Sequence, residues 1–154
     1  MSDTKKELAV AALRHGTVID HIPSSAVFQA VKILGLEQSP HAVTIGCNLA
    51  SKKLGTKGII KVADQVFDAD TLNRIALIAP TAVVNTISDY EVVDKHPVAL
   101  PEEIVGIVRC ANPKCITNNE PMRTKFDVVE REPQVVIRCR YCNHTVKGSD
   151  AKIL

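Results

Sequence analysis

The chain has 154 residues, 45% of them hydrophobic and 23% charged, with a net charge of +2. That suits one ordinary domain or two small ones and excludes a disordered or low-complexity chain. The balance is too mild to argue for nucleic acid from charge alone, and no apolar run is long enough to cross a bilayer.

The short apolar run from Leu8 to Leu13 lies between charges and has no small-residue cleavage site of the secretory type. The sequence therefore reads as cytoplasmic, where thiols stay reduced and paired cysteines favour metal over disulfides. "TVIDHI" (17–22) is a strand ended by Pro23. "SSAVFQAVKILG" places Val27, Ala30, Val31 and Leu34 on one helical stripe, with Ser24 or Ser25 as N-cap and Gly35 just past the end. "AVTIGCNL" alternates as a strand with Val43, Ile45, Cys47 and Leu49 on one face, and Cys47 is expected as a small core residue. "ASKKLGTKG" reads as a loop and "IIKVA" as a strand. "DADTLNRIALIAP" repeats a helical stripe with Leu72, Ile75, Ala76 and Ala79, capped by an aspartate and stopped by Pro80. "AVVNTI" and "YEVV" are strands around a turn at Ser88–Asp89.

This order predicts an α+β fold: a ferredoxin-like split βαβ antiparallel sheet with two helices on one face and one extra strand. "DKHPVALPEE" (94–103) reads as a linker between residues 1–100 and 101–154. Beyond it "IVGIVR", "TKFDVVER" and "QVVIRC" are short strands of a small all-β domain. Charge divides along the same line. Residues 1–103 carry 10 Lys and Arg against 12 Asp and Glu, whereas residues 104–154 carry 9 against 5.

The second segment holds "CANPKC" and "CRYC". Each close pair lets a tight turn aim two sulfurs at one point, and two turns supply the four thiolates of a tetrahedral Zn²⁺ site. Cys110, Cys115, Cys139 and Cys142 are thus the expected ligands of one zinc per chain. Four thiolates close the site, so the metal is expected to be structural. About fifty residues with few large apolar groups make a marginal core, and metal binding would supply much of the folding free energy, on the order of 10 kcal/mol.

In the first segment several polar residues break the strand pattern: Asp20 and His21 among β-branched residues, Asn85 between Val83 and Ile87, and Lys57, Lys61 and Lys95. Lys57 and Lys61 share a face if their strand begins early. Asp20 and His21 point apart in a regular strand. Singly, lysines on a sheet are usually just solvated. Together, cations, an imidazole and an aspartate suit a phosphorylated, sugar-containing ligand. There is no P-loop, no dinucleotide fingerprint and no nucleophile–base–orienter set, so no catalytic residue is expected. A zinc-ribbon nucleic-acid binder is the alternative; against it, aromatics make up 3% of the chain, a poor supply of stacking platforms.

"RHGTVIDHIP", "TIGCNL", "APTAVVNTISDYEVVDK", "LPEEI" and the two cysteine pairs resemble the regulatory chain of aspartate carbamoyltransferase, from about residue 8 to 145. The resemblance implies a non-catalytic regulatory subunit of pyrimidine biosynthesis. An allosteric domain would bind nucleoside triphosphates, with CTP and UTP inhibiting and ATP activating, and a zinc domain would dock on catalytic chains. It implies a homodimer of regulatory chains, with no nucleic-acid or membrane partner. Carried over by position, the nucleotide site comprises Val10, Ala12, Leu13, Val18, Asp20, His21, Lys57, Lys61, Asn85, Ile87, Tyr90, Val92 and Lys95. In that site Lys57, Lys95 and His21 would meet phosphates, and Asp20 and Lys61 the ribose. Backbone near Leu13, Ile87 and Tyr90 would read the base, flanked by Val18 and Val92. Asn112 falls where the family contacts a catalytic chain. Ala11 stands where the family has a glutamate, Lys114 where a second interface asparagine would be, and "CNHT" follows Tyr141 in place of a more acidic and lysine-containing stretch.

Overall fold

The computed structural model describes residues 13–154. Its first sheet is built from β1 (Gly16–Ile22), β2 (Val43–Ser51), β3 (Gly55–Ala63), β4 (Val83–Ser88) and β5 (Glu91–Pro97), in the order β2-β3-β1-β4-β5. All neighbours pair antiparallel. The first four strands have the expected split βαβ order, and β5 is the extra strand at the edge. Helices α1 (Val27–Ile33) and α2 (Ala69–Arg74) supply the expected apolar stripes. Val27, Ala30, Val31, Leu34, Leu72, Ile75, Ala76 and Ala79 are all buried, with Ile19, Ile60, Val62 and Val84 from the sheet. Gly58 is required where α1 presses on β3, because a Cβ there would stand 2.0 Å from Val27 Cγ2.

Local chemistry departs from the expectation in four places. Neither Ser24 nor Ser25 caps α1. Pro23 starts a 3-10 turn, Ser24–Ala26, and the Ser24 hydroxyl instead accepts from Asn48 N at 3.2 Å. The expected loop 50–58 shrinks to residues 52–54, since Ser51 already pairs with Gly55, whose φ of +81 closes the hairpin. Alternation along β2 is interrupted by a bulge between Gly46 and Leu49, with Asn48 at φ 59; Ile45 is exposed at the sheet edge, and Cys47 packs half-buried on the core. The β4–β5 turn is Asp89–Tyr90, both residues at positive φ, which matches the twist of a two-residue hairpin. As a result β5 runs on through Pro97, paired with Val83, and residues 94–97 belong to the sheet rather than to a linker.

Past Val98, a second sheet runs β10-β9-β8-β6, from β6 (Glu103–Val105), β8 (Lys125–Glu130), β9 (Val136–Cys139) and β10 (Thr145–Lys147). A two-stranded ribbon pairs β7 (Val108–Arg109) with β11 (Lys152–Ile153). The expected strand "IVGIVR" is cut in two by Gly106, φ +69, which sends its halves into different sheets. The core here is small: Ile104, Val108, Phe126 and Ile137 are its largest fully buried side chains. The chain is therefore α+β, with antiparallel sheets and a four-cysteine cluster in its C-terminal part.

Candidate functional site

The four cysteines come from two turns. Cys110 follows β7, and Cys115 precedes the one-turn helix α3 (Ile116–Asn119); Cys139 ends β9, and Cys142 lies in the turn beyond it. Their sulfurs all lie within 4.8 Å of one another. Cys110 and Cys142 Sγ are 3.6 Å apart, and Cys115 and Cys139 Sγ 3.7 Å. Four sulfurs about 2.3 Å from a tetrahedral centre must sit about 3.8 Å apart, so the spacing fits Zn²⁺.

The turns are built by hydrogen bonds that converge on backbone near the sulfurs. Cys115 N donates to Asn112 O at 3.0 Å, and Lys114 N donates to Asn112 Oδ1 at 3.0 Å. In the second turn Asn143, φ 64, donates its N–H to Cys139 O at 2.9 Å. Burial pushes the Cys110 thiol up to about 12 and raises Cys139 as well. Cys142 is the exception. Burial works upward on it too, but hydrogen bonds from His144 N and the Asn112 side chain, with those of Cys110 and Cys139, outweigh it and bring it to about 7. Buried thiols that resist ionising become thiolates when a dication sits between them, which is what a structural zinc supplies. The closed set leaves no open coordination position for chemistry.

Sequence reasoning misses the residues that brace this centre. Asn118 Nδ2 donates to Cys110 O at 2.9 Å and Asn112 O at 2.8 Å, tying the first turn to α3. Thr117 Oγ1 lies 3.1 Å from Cys115 Sγ, and Asn119 Nδ2 donates to Cys115 O at 2.9 Å. The polar run "ITNN" directly after a cysteine pair is the available signal.

The second candidate site is the sheet face opposite the helices. Directly paired residues form a row across four strands: Lys61 with Val18, Val18 with Asn85, and Asn85 with Lys95. On β3, Lys57 and Lys61 alternate with buried Gly58, Ile60 and Val62, so both lysines share one face, as an early strand start requires. Asn85 Nδ2 donates to Val18 O at 3.4 Å. Lys61 is 9% exposed, low for a lysine.

Asp20 and His21 do not point apart. A bulge in β1 and φ 57 at His21 turn the chain so that Asp20 Oδ1 accepts from His21 N at 2.7 Å and lies 3.5 Å from its Nδ1. Lys57 Nζ is 2.9 Å from the same carboxylate oxygen. The aspartate expected at a ribose and the lysine and histidine expected at phosphates thus form one cluster beside the row, farther along β1 and β3. Ile87 faces Gly16 on one side and Val92 on the other, with Val92 exposed. Tyr90, exposed in its turn, donates its N–H to Arg14 O at 3.0 Å, next to Leu13. His15 accepts from Asp89 N at 3.3 Å, a second pin on that turn that no sequence pattern reveals. Val10 and Ala12 lie outside the described residues.

A closed four-thiolate centre beyond a sheet with one polar face marks a metal-stapled α+β chain. Two family models match the chain in tandem. Residues 8–99 match the allosteric domain of the aspartate carbamoyltransferase regulatory chain, and residues 102–152 match its metal binding domain. Regulatory chains from Bacteroides fragilis and Bacteroides thetaiotaomicron are 54% and 53% identical over 154 residues, covering both chains of each comparison in full. That of Thermococcus sibiricus is 48% identical over 142 residues, 92% of this chain and 93% of the relative. The chain belongs to the aspartate carbamoyltransferase regulatory chain family, a family of non-catalytic subunits, and a nucleic-acid-binding zinc ribbon is not favoured. No helix among the described residues is long and apolar enough to cross a membrane.

Proposed function

We propose that residues 1–100 bind nucleoside triphosphates and that residues 101–154, held by zinc, dock on catalytic chains of aspartate carbamoyltransferase and pass the signal to them. The chain would work in the cytoplasm as a homodimer of regulatory chains, without nucleic acid. The observation that carries the reading is the cross-strand row of Lys61, Val18, Asn85 and Lys95, with the Asp20–His21–Lys57 cluster beside it on β1 and β3. Cations at both edges of a flat, partly apolar strip suit a ligand with phosphates at one end, hydroxyls in the middle and a planar base at the other.

Lys57 is occupied by Asp20, so a triphosphate would have to draw it away or share it, whereas exposed Lys95 is open to a phosphate at once. Asn112 shapes its own turn and is half-buried, which leaves part of its surface for the expected contact with a catalytic chain. A regulatory chain acts only by differential binding: a nucleotide that favours one state of the assembly must bind that state more tightly, with coupling of about 1–3 kcal/mol.

The test is calorimetric titration of CTP and ATP into the metal-loaded chain and into its Lys95→Ala variant. Weakened triphosphate binding with unaltered assembly is expected. Equal affinity in both would remove this lysine from the site, and no binding to either would end the effector reading.

A further inference from the structure

Two irregularities of the first sheet fall at one place on β3. On β1, Asp20 and His21 together stand opposite Ile59, because Ile19 pairs with Ile60 and Ile22 with Gly58. On β2, Cys47 and Asn48 together stand opposite Gly58, because Gly46 pairs with Ile59 and Leu49 with Lys57. Helix α1 sits over the same point. The chain leaves β1 at Ile22, turns through Pro23 and Ser24–Ala26, and returns with Val27 seated on Gly58, the partner of Ile22. A Cβ on Gly58 would run into Val27 Cγ2 and would lie 3.3 Å from Gly46 O and 3.5 Å from Ile22 O, carbonyls at the edges of the two bulges. Ile22 and Val27 are both fully buried, so neither has space to withdraw into. Side chains tie the same corner: Ser24 Oγ accepts from Asn48 N at 3.2 Å, and Thr81 Oγ1 donates to His21 O at 2.8 Å.

We propose that Gly58 and Val27 are positioning residues for the Asp20–His21–Lys57 cluster: the close seat of α1 on one face of the sheet sets the bulge that gathers the three groups for a phosphorylated ligand. In a regular strand Asp20 and His21 would point to opposite faces. The bulge removes that alternation, and Ile22 then resumes the core side. Ile22 is held there by its pairing with Gly58 beneath Val27. Crowding at Gly58 must therefore displace Ile22, which follows His21, or Lys57, which precedes Gly58 and holds the Asp20 carboxylate at 2.9 Å. Either movement opens the cluster. The effect on ligand affinity rests on the nucleotide reading above; the effect on the geometry of the cluster does not.

The test compares the full-length, metal-loaded chain with Gly58→Ala, with Gly58→Ala combined with Val27→Ala, and with Ile60→Ala, which weakens the same strand from its core side. Calorimetric titration reads CTP affinity, and the ring resonances of His21 in NMR spectra without nucleotide read the geometry of the cluster. Gly58→Ala is expected to weaken CTP binding about five- to tenfold and to shift the His21 resonances. Val27→Ala clears the space that the new methyl needs, so the double variant should recover both. Ile60→Ala should leave both close to the unaltered chain although it lowers stability, which separates positioning from general loosening. Should Gly58→Ala not fold, Val27→Ile crowds the same glycine from the helix, and the same two changes are expected from it in milder form. His21 resonances unmoved in the crowded variant, moved equally in Ile60→Ala, or not recovered in the double variant overturn the proposal. An unaltered chain that binds no CTP ends the effector reading, while the His21 resonances still decide the positioning role.

Discussion

The two halves of this molecule reach stability by different means. The five strands of the first sheet run six to nine residues each and are backed by α1 and α2. Apart from Thr17 and Lys61 their buried side chains are aliphatic and come from both layers, so hydrophobic burial dominates there. In the second half the strands run two to six residues, Phe126 is the largest buried side chain, and four thiols sit where more apolar volume would otherwise be needed. The difference suits the placing of the proposed ligand face in the first half. A sheet that folds on its own core can leave its other face polar, while a module held by metal spends its side chains on the metal.

Removing the metal is the sharpest way to break this comparison. Chelation, or Cys139→Ser, should cost the second half a term on the order of 10 kcal/mol and unfold it. The first sheet should stay folded. In the assembly, catalytic chains should separate with activity retained and effector response lost. Sedimentation and zinc analysis check both points, and a metal-free chain with unaltered structure in residues 101–154 would contradict the account.

The converse perturbation strikes the first core. Ile60→Ala removes a fully buried side chain from the central part of β3 and is expected to lower stability by about 2–5 kcal/mol. Zinc stoichiometry should remain at one per chain, because nothing near the thiols has changed. Gly58→Ala should act in the same direction by about 1–3 kcal/mol, since its Cβ meets a methyl group of Val27 on a rigid helix. Thermal melting of both variants with metal analysis separates the two halves. Loss of zinc in parallel with loss of stability would merge them.

Much of this architecture is legible in the residues themselves. The helical stripes ending in Leu34 and Ala79 follow from periodicity, and the cysteine spacing states its own geometry. Turns are harder to read, for identifiable reasons. Asn48, His21, Asp89 and Tyr90 take positive φ although none is glycine; Asn, His and Asp tolerate it better than most residues, but too weakly to mark the two bulges or to place the hairpin turn to the residue. The bulge at His21 is what brings Asp20, His21 and Lys57 together, and a regular strand would keep them apart. Gly148 is pressed so close to Leu77 O that a Cβ would stand 2.2 Å from it, a contact between distant segments that local pattern cannot register. Asn118 is hidden for a related reason: its two acceptors are carbonyls whose direction exists only once the turn has formed.

The smallest expected effect concerns how the short strands of the second half hold register without much core. Arg140 donates to Asp127 from β8 and, at 3.0 Å, to Glu103 from β6, tying two strands to the end of β9. Hydrogen bonding from that guanidinium holds the Asp127 carboxyl below the usual carboxylate range. A depressed carboxylate contributes stability in full above its unfolded value, about 3.9, and loses it as pH falls through the folded value. Asp127→Asn should therefore melt slightly below the unaltered chain at neutral pH, and the gap should close on acidification below about pH 4. All these groups are exposed, so solvent screens the contribution and the gap should also shrink in high salt. Acid release of zinc affects both chains alike, so the difference between them, not either melting point alone, carries the result. A gap that persists unchanged through that pH range would mean that Asp127 acts as a neutral hydrogen-bond partner, and that the thiols hold the register of these strands unaided.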